Sequence, residues 1–166
     1  MARWEPEQTV TLSVLERLID RDPANGAEPP PSRAQSVRQL KASLRRDLEW
    51  LLNSRRIPEP AGSELKELER SLYNYGLPDI TSLNWESSRD RIRLTRLIEQ
   101  SLAVFEPRIS RLRVVPVESG SGPQHVLRFQ IEGLLEMDPA PEHISFDTVL
   151  QLSSGEYQVK GDASAG

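Results

Sequence analysis

Apolar residues recur at helical spacing as far as Phe105 and at every second position beyond Arg108, so the chain divides where the period changes. Leu12, Leu15, Leu18 and Ile19 predict a short amphipathic helix, ended by Asp22-Pro23 and Asn25-Gly26. Pro29-Pro30-Pro31 makes the following stretch an extended spacer. From Ser36 onward, Val37, Leu40, Leu44, Leu48, Leu51 and Leu52 form the strongest helical stripe, with Arg38, Lys41, Arg45, Arg46, Asp47 and Glu49 mostly around the remaining circumference. Asn53-Ser54-Arg55-Arg56 closes that helix before Pro58 and Pro60.

A third helix is expected over 63–75, with Ser63 as N-cap, Glu64 in its first turn and Leu65, Leu68 and Leu72 as its stripe. The run Asn74, Tyr75, Gly76, Leu77, Pro78, Asp79 reads as its end. Gly76 falls where a left-handed residue is wanted, Leu77 is expected to fold back on Leu72 as a Schellman ending, and Pro78 blocks continuation. Ser87 with Asp90 resembles a capping box opening a fourth helix through Leu94, Leu97, Ile98, Ser101, Leu102 and Phe105, limited by Pro107.

Beyond Arg108 three half-buried strands are expected. Leu112 and Val114 alternate with arginines, Leu127, Phe129 and Ile131 with Arg128, Gln130 and Glu132, and Ile144, Phe146 and Thr148 with Ser145 and Asp147. Gly120, Gly122 and Pro123 mark the first connection and Pro139 to Pro141 the second; Tyr157 to Lys160 adds a weak edge strand. Helices first and a meander after make an α+β class: N-terminal helices, then a small antiparallel sheet of three to four strands with the helices on one face. The division expected is a partner-binding helix and spacer over 1–33, a single domain over 34–160 and a tail over 161–166.

Composition narrows the chemistry. At 166 residues the chain can bury a core as one domain, and without cysteine it has neither a disulfide framework nor a thiolate metal site. A net charge of -4 argues against general nucleic-acid binding. Of the 21 basic residues only Lys41, Lys66 and Lys160 are lysine, an arginine bias that suits docking into an assembly and equally follows from a GC-rich genome. No apolar run reaches membrane-spanning length and no signal-peptide pattern opens the chain, so the expected compartment is the cytoplasm.

Catalytic constellations are thin. His125 and His143 are the two histidines and have no acidic cluster beside them, and neither a glycine-rich phosphate loop nor a nucleophile elbow occurs. Asp79, Glu86 and Glu106 lie in loops or at a helix end, which accounts for them without a two-carboxylate glycosidase site. Glu106 and Arg108 read either as a surface pair at a helix end or as an ion-pair network fixing the last helix against the first strand. Trp50 and Trp85 flank apolar stripes and are expected in the core; Trp4, outside every element, is the better candidate for a partner contact.

The turn Asn74 to Asp79, the step Phe105-Glu106-Pro107-Arg108, the helix Asp47 to Arg56 and the leader Leu15-Glu16-Arg17-Leu18-Ile19-Asp20, in this order and at these spacings, resemble the TssE family. These are baseplate wedge subunits of bacterial type VI secretion systems, similar to the small wedge protein of contractile phage tails that once carried a lysozyme label. The resemblance spans most of residues 11–152. It implies a non-catalytic structural subunit with no cofactor, whose partners are other wedge subunits and the contractile sheath, with no nucleic acid, membrane insertion or small-molecule substrate. It further implies that Glu106, Pro107 and Arg108 serve sheath assembly, that Asn74, Tyr75, Gly76, Leu77, Pro78 and Asp79 form a structural turn, and that the sheet templates the sheath by strand exchange in a cytoplasmic baseplate near the inner membrane. Leu12, Leu15, Leu18 and Ile19 form the face of the helix expected to meet a partner. The alternatives are a peptidoglycan-active enzyme and an adaptor for another helical protein.

Overall fold

The computed structural model describes residues 10–19, 23, 31–59, 64–117 and 126–162. Trp4, the expected terminators Asp22 and Asn25-Gly26, the cap Ser63, the connection through Gly120, Gly122 and Pro123, and His125 lie outside them.

The long helix α2 (Arg33–Asn53) begins ahead of its apolar stripe because Ser32 caps it. Ser32 Oγ accepts from the Gln35 N–H, and the Gln35 side chain accepts from the Ser32 N–H at 2.8 Å. Leu44, Leu48 and Leu52 are fully buried on one face. Trp50, expected in the core, is instead 57% exposed. At the helical period it falls on the far side of α2 from those leucines, and there it stacks under Arg46, whose guanidinium carbon lies 5.1 Å from the ring centroid. Trp85 packs against the core, partly buried.

The helix expected over 63–75 does not form as one element. A single turn, α3 (Lys66–Glu69), is followed by a 3-10 turn over Leu72–Asn74. Ser71 makes the break: its Oγ accepts from the Tyr73 N–H at 3.2 Å, capping the second turn, while Asn74 Nδ2 donates to the Leu68 carbonyl at 3.0 Å. Leu72 is 85% exposed, so the stripe has no surface to bury and the segment lacks the packing that sustains a short helix. Leu77 correspondingly does not fold back on Leu72. It is fully buried against the end of α2, where its N–H donates to the Ser54 carbonyl and its carbonyl accepts from the Arg56 N–H, both at 2.9 Å. Gly76 takes a φ of 102°, and a Cβ there would lie 2.4 Å from the Ser54 carbonyl oxygen, so both conformation and space require glycine.

Helix α4 (Ser88–Phe105) opens with half of the expected box. Ser87 Oγ accepts from the Asp90 N–H, but the Asp90 carboxylate turns to the Asn84 N–H at 3.0 Å. Four strands follow, β1 (Ile109–Val117), β2 (Val126–Leu135), β3 (Glu142–Gln151) and β4 (Glu156–Asp162), in a purely antiparallel meander of order β1-β2-β3-β4. The weak fourth stretch is thus a full strand, with Tyr157 and Val159 buried. Phe129, Ile131, Ile144, Phe146 and Leu150 point to the same side, where α2 lies over β4 and α4 over β1. In β1 the register jumps between Ser110 and Arg113, leaving one extra residue, and Arg111 takes a φ of 50°. That bulge lets Ile109 and Leu112, three positions apart, both meet the core. Gly133 lies across from it, because a Cβ there would come within 2.4 Å of Ile109 Cγ2.

Near the start of the described chain, α1 is a five-residue helix (Val14–Leu18), half as long as the sequence suggests. Ser13 caps it by accepting from the Glu16 N–H at 3.2 Å.

Candidate assembly interface

The step from α4 to β1 is built by its three expected residues. The Glu106 N–H closes the last helical turn on the Leu102 carbonyl at 2.8 Å, Pro107 has no N–H to extend the ladder, and the Arg108 carbonyl accepts from the N–H of Glu136, one residue past the end of β2, at 2.8 Å. The side chains close on each other across the proline. Arg108 Nε donates to Glu106 Oε1 at 2.5 Å and Nη2 to Oε2 at 2.6 Å, a bidentate pair around a carboxylate that is 6% exposed.

The pair is one end of a longer chain of charges. Arg108 Nη2 also donates to Asp47 Oδ2 at 2.7 Å, Asp47 Oδ1 accepts from Arg46 Nη2 at 3.1 Å, and Arg46 Nη1 pairs with Glu16 Oε1 at 2.6 Å. Glu106, Arg108, Asp47, Arg46 and Glu16 therefore alternate in sign from the helix–strand corner, across the middle of α2, to α1. Glu106 raises the affinity of Arg108 for its proton above the ordinary arginine value, outweighing desolvation, and Asp47 adds to the effect. Arg46 is shifted upward in the same way, first by Glu16 and then by Asp47.

The structure brings the second signature to the same corner. Tyr75 meets the Phe105 ring edge-on at 5.3 Å between centroids, and Ser101 Oγ donates to the Gly76 carbonyl at 3.2 Å, so the turn Asn74 to Asp79 braces the last turns of α4. Burial pushes the Tyr75 hydroxyl upward, and the negative charges of Asp47 and Glu106 push it the same way. Asn74, Pro78, Ser101, Val104 and Phe105 line a cleft of about 310 Å³ beside this junction. Asp79 closes the turn by accepting from the Thr81 N–H at 3.0 Å and hydroxyl at 2.9 Å; these bonds hold its carboxyl below the usual range.

The four apolar positions of the leading helix separate. Leu12 packs against the core, whereas Leu15, Leu18 and Ile19 are 51%, 77% and 41% exposed and Val14 joins them. The residue that seats α1 is the buried Glu16, which sequence reasoning missed along with its partner Arg46 and with Asp47. Glu16 left one readable trace: it lies four positions after Leu12 and three before Ile19, a charge on the apolar face.

In class this is an α+β scaffold: its buried charges bind one another, and its leading helix displays apolar side chains. The model of the family described as baseplate wedge protein gp25 matches residues 38–140, and the chain belongs to that family. Its role is therefore that of a structural baseplate component. Among solved structures, a chain of the baseplate complex from the type VI secretion system is similar at 23% identity and a TM-score of 0.46, over 69% of this chain and 96% of that one. No curated protein matches the chain.

Proposed function

We infer that the chain is the wedge subunit of a type VI secretion baseplate, which docks among other wedge subunits through α1 and templates the contractile sheath through its sheet. The observation that carries this reading is the charge chain running from Glu106 and Arg108 through Asp47 and Arg46 to Glu16. It ties the sheet corner to the element carrying exposed Val14, Leu15, Leu18 and Ile19, so a partner gripping α1 holds the sheet in a fixed attitude. Residues 1–33 are the partner-binding segment and 34–160 the wedge domain, working in the cytoplasm. Glu106 does not act as a glycosidase acid in this reading, because both its oxygens accept from Arg108.

The test is live imaging of a fluorescent sheath subunit in the source bacterium, comparing wild type, a deletion, and Glu106→Ala with Arg108→Ala at matched protein abundance. Sheaths should vanish in the deletion and in the double variant. Sheaths that still extend in the deletion would sink the reading and return the enzyme and adaptor alternatives.

A further inference from the structure

The two outer edges of the sheet are not equivalent. On β1, the Val114 N–H points away from β2 and donates to Glu99 Oε1 on α4 at 2.8 Å; Pro116, the next outward position, has no N–H. That edge therefore offers an incoming strand no donor at either position. On β4, the outward groups of Tyr157 are taken by the last residue of α2: Asn53 Nδ2 donates to the Tyr157 carbonyl at 2.9 Å, and the Tyr157 N–H donates to Asn53 Oδ1 at 2.8 Å. A side-chain amide thus stands where a neighbouring strand's peptide group would be. By the two-residue alternation Val159 faces outward next, before the register with β3 shifts between Val159 and Asp162, and among the described residues no side chain bonds to its backbone.

At the far end of β4 lies a groove of about 670 Å³ between the first half of α2, Glu142 and Phe146 of β3, and Gly161 of β4. Ala34, Val37 and Phe146 give it an apolar floor, Arg38 and Arg45 line it, and Gly161 opens onto it with no atom of the described residues within 4 Å of where a Cβ would stand. Its acidic residue, Glu142, is paired with Lys41 at 2.5 Å, so the groove is positively charged within a chain whose net charge is -4.

A strand edge beside a helix is the geometry that captures an extended peptide by strand addition. We propose that β4, and not β1, is the edge that accepts a partner, and that its occupant is an extended segment with acidic residues at alternate positions. Beyond Asn53 that segment adds as a fifth strand and sets its carboxylates against Arg38 and Arg45. The proposal rests on the reading of the sheet as the templating surface and names its edge and its partner's chemistry.

The test uses the full chain and two fluorescein-labelled octapeptides, one alternating glutamate with valine and one with lysine in place of glutamate, read by fluorescence anisotropy. The glutamate peptide should bind at least tenfold tighter than the lysine peptide. Arg38→Glu with Arg45→Glu should reverse that preference, and Gly161→Trp, which fills the groove from a position whose Cβ meets no described atom within 4 Å, should abolish binding. Amide shifts in NMR spectra should concentrate at Val159 to Gly161 and spare Val114 to Val117. Equal binding of both peptides, binding unaffected by Gly161→Trp, shifts confined to β1, or self-association of the chain through this groove would each overturn it. In cells the two readings separate: sheaths absent in the deletion yet normal with Gly161→Trp would overturn the groove alone, whereas sheaths present in the deletion would overturn templating itself.

Discussion

Replacing Glu106 with glutamine tests whether that residue acts by touching a partner or by holding the corner. The wild-type carboxylate accepts two hydrogen bonds from Arg108, at 2.5 and 2.6 Å. Glutamine keeps one acceptor but turns an amide N–H toward an N–H of the guanidinium, so one charge-assisted bond is lost and two donors face each other. A hydrogen bond to a charged group contributes about 1.5–3 kcal/mol. Arg108 recovers part of the loss, because its side chain is 29% exposed and Asp47 still holds Nη2. The expected destabilisation is therefore about 2 kcal/mol, which for a chain of this size lowers Tm by about 4–8 °C.

Thermal melts by circular dichroism at pH 7 measure this directly, with Asp47→Asn as comparison. Asp47 is 29% exposed and its loss leaves the bidentate pair intact, so that variant should lose only about 1 kcal/mol. Both carboxylates share Arg108, so the double variant should deviate from additivity by about 0.5 kcal/mol or more. An unchanged Tm for Glu106→Gln would refute the reasoning. Combined with lost sheath assembly, it would mean that Glu106 contacts a partner despite being 6% exposed in the free chain.

Other residues give independent checks. The Tyr157 hydroxyl is buried with no hydrogen-bond partner among the described residues, so Tyr157→Phe should raise stability by about 1 kcal/mol in urea melts; a less stable variant would disprove the orphaned hydroxyl. Tyr75 and Tyr157 both titrate above the ordinary tyrosine range in the folded state, so the unfolded chain ionises first. Their contribution is fully present below about pH 10 and is lost as pH rises through the folded values; denaturant melts should show that fall, shallower in Tyr75→Phe. Gly133→Ala places a Cβ 2.4 Å from Ile109 Cγ2 and 3.0 Å from the Ser110 carbonyl, and should cost about 1–3 kcal/mol. Gly161→Ala meets no atom of the described residues within 4 Å, and equal melting of these two variants would contradict the packing at the bulge.

Much of the architecture was legible because burial in α2, α4 and the central strands repeats at a strict period. Leu44, Leu48 and Leu52 read as a buried helix face and are one, and the alternation of Phe129 and Ile131 in β2 is equally direct. The stripe Leu65, Leu68, Leu72 misled because period reports which side chains share a face, not whether another surface covers it. The capping box of α2 was present as Ser32 and Gln35, ahead of the apolar stripe. In β1 the bulge at Arg111 breaks the two-residue alternation, which obscured Ile109 as a core residue. The candidate site divides the same way. Glu106 and Arg108 are two positions apart and their pairing could be read locally, whereas Asp47 lies 61 residues from Arg108 and reaches it only through the fold.

The charge chain also decides which element is held least firmly. At the corner, Arg108 is locked by two carboxylates, by the backbone hydrogen bond from Glu136 and by the packing of α4 on β1. At the other end, α1 is five residues long, too short to be stable by itself, and its seat includes Leu12, Val10 and the pair Glu16–Arg46. Burying Glu16, whose side chain is 1% exposed, costs desolvation that its attraction to Arg46 largely offsets, so that pair adds little net stability while making any other seating of the charge unfavourable. The burial of Leu12 and Val10 adds to it, about 1.5–3 kcal/mol each when complete and less here because both are only partly buried. The pair thus sets orientation rather than strength. Val14, Leu15, Leu18 and Ile19 face outward in one defined attitude relative to the sheet corner, although α1 itself is held more weakly than that corner.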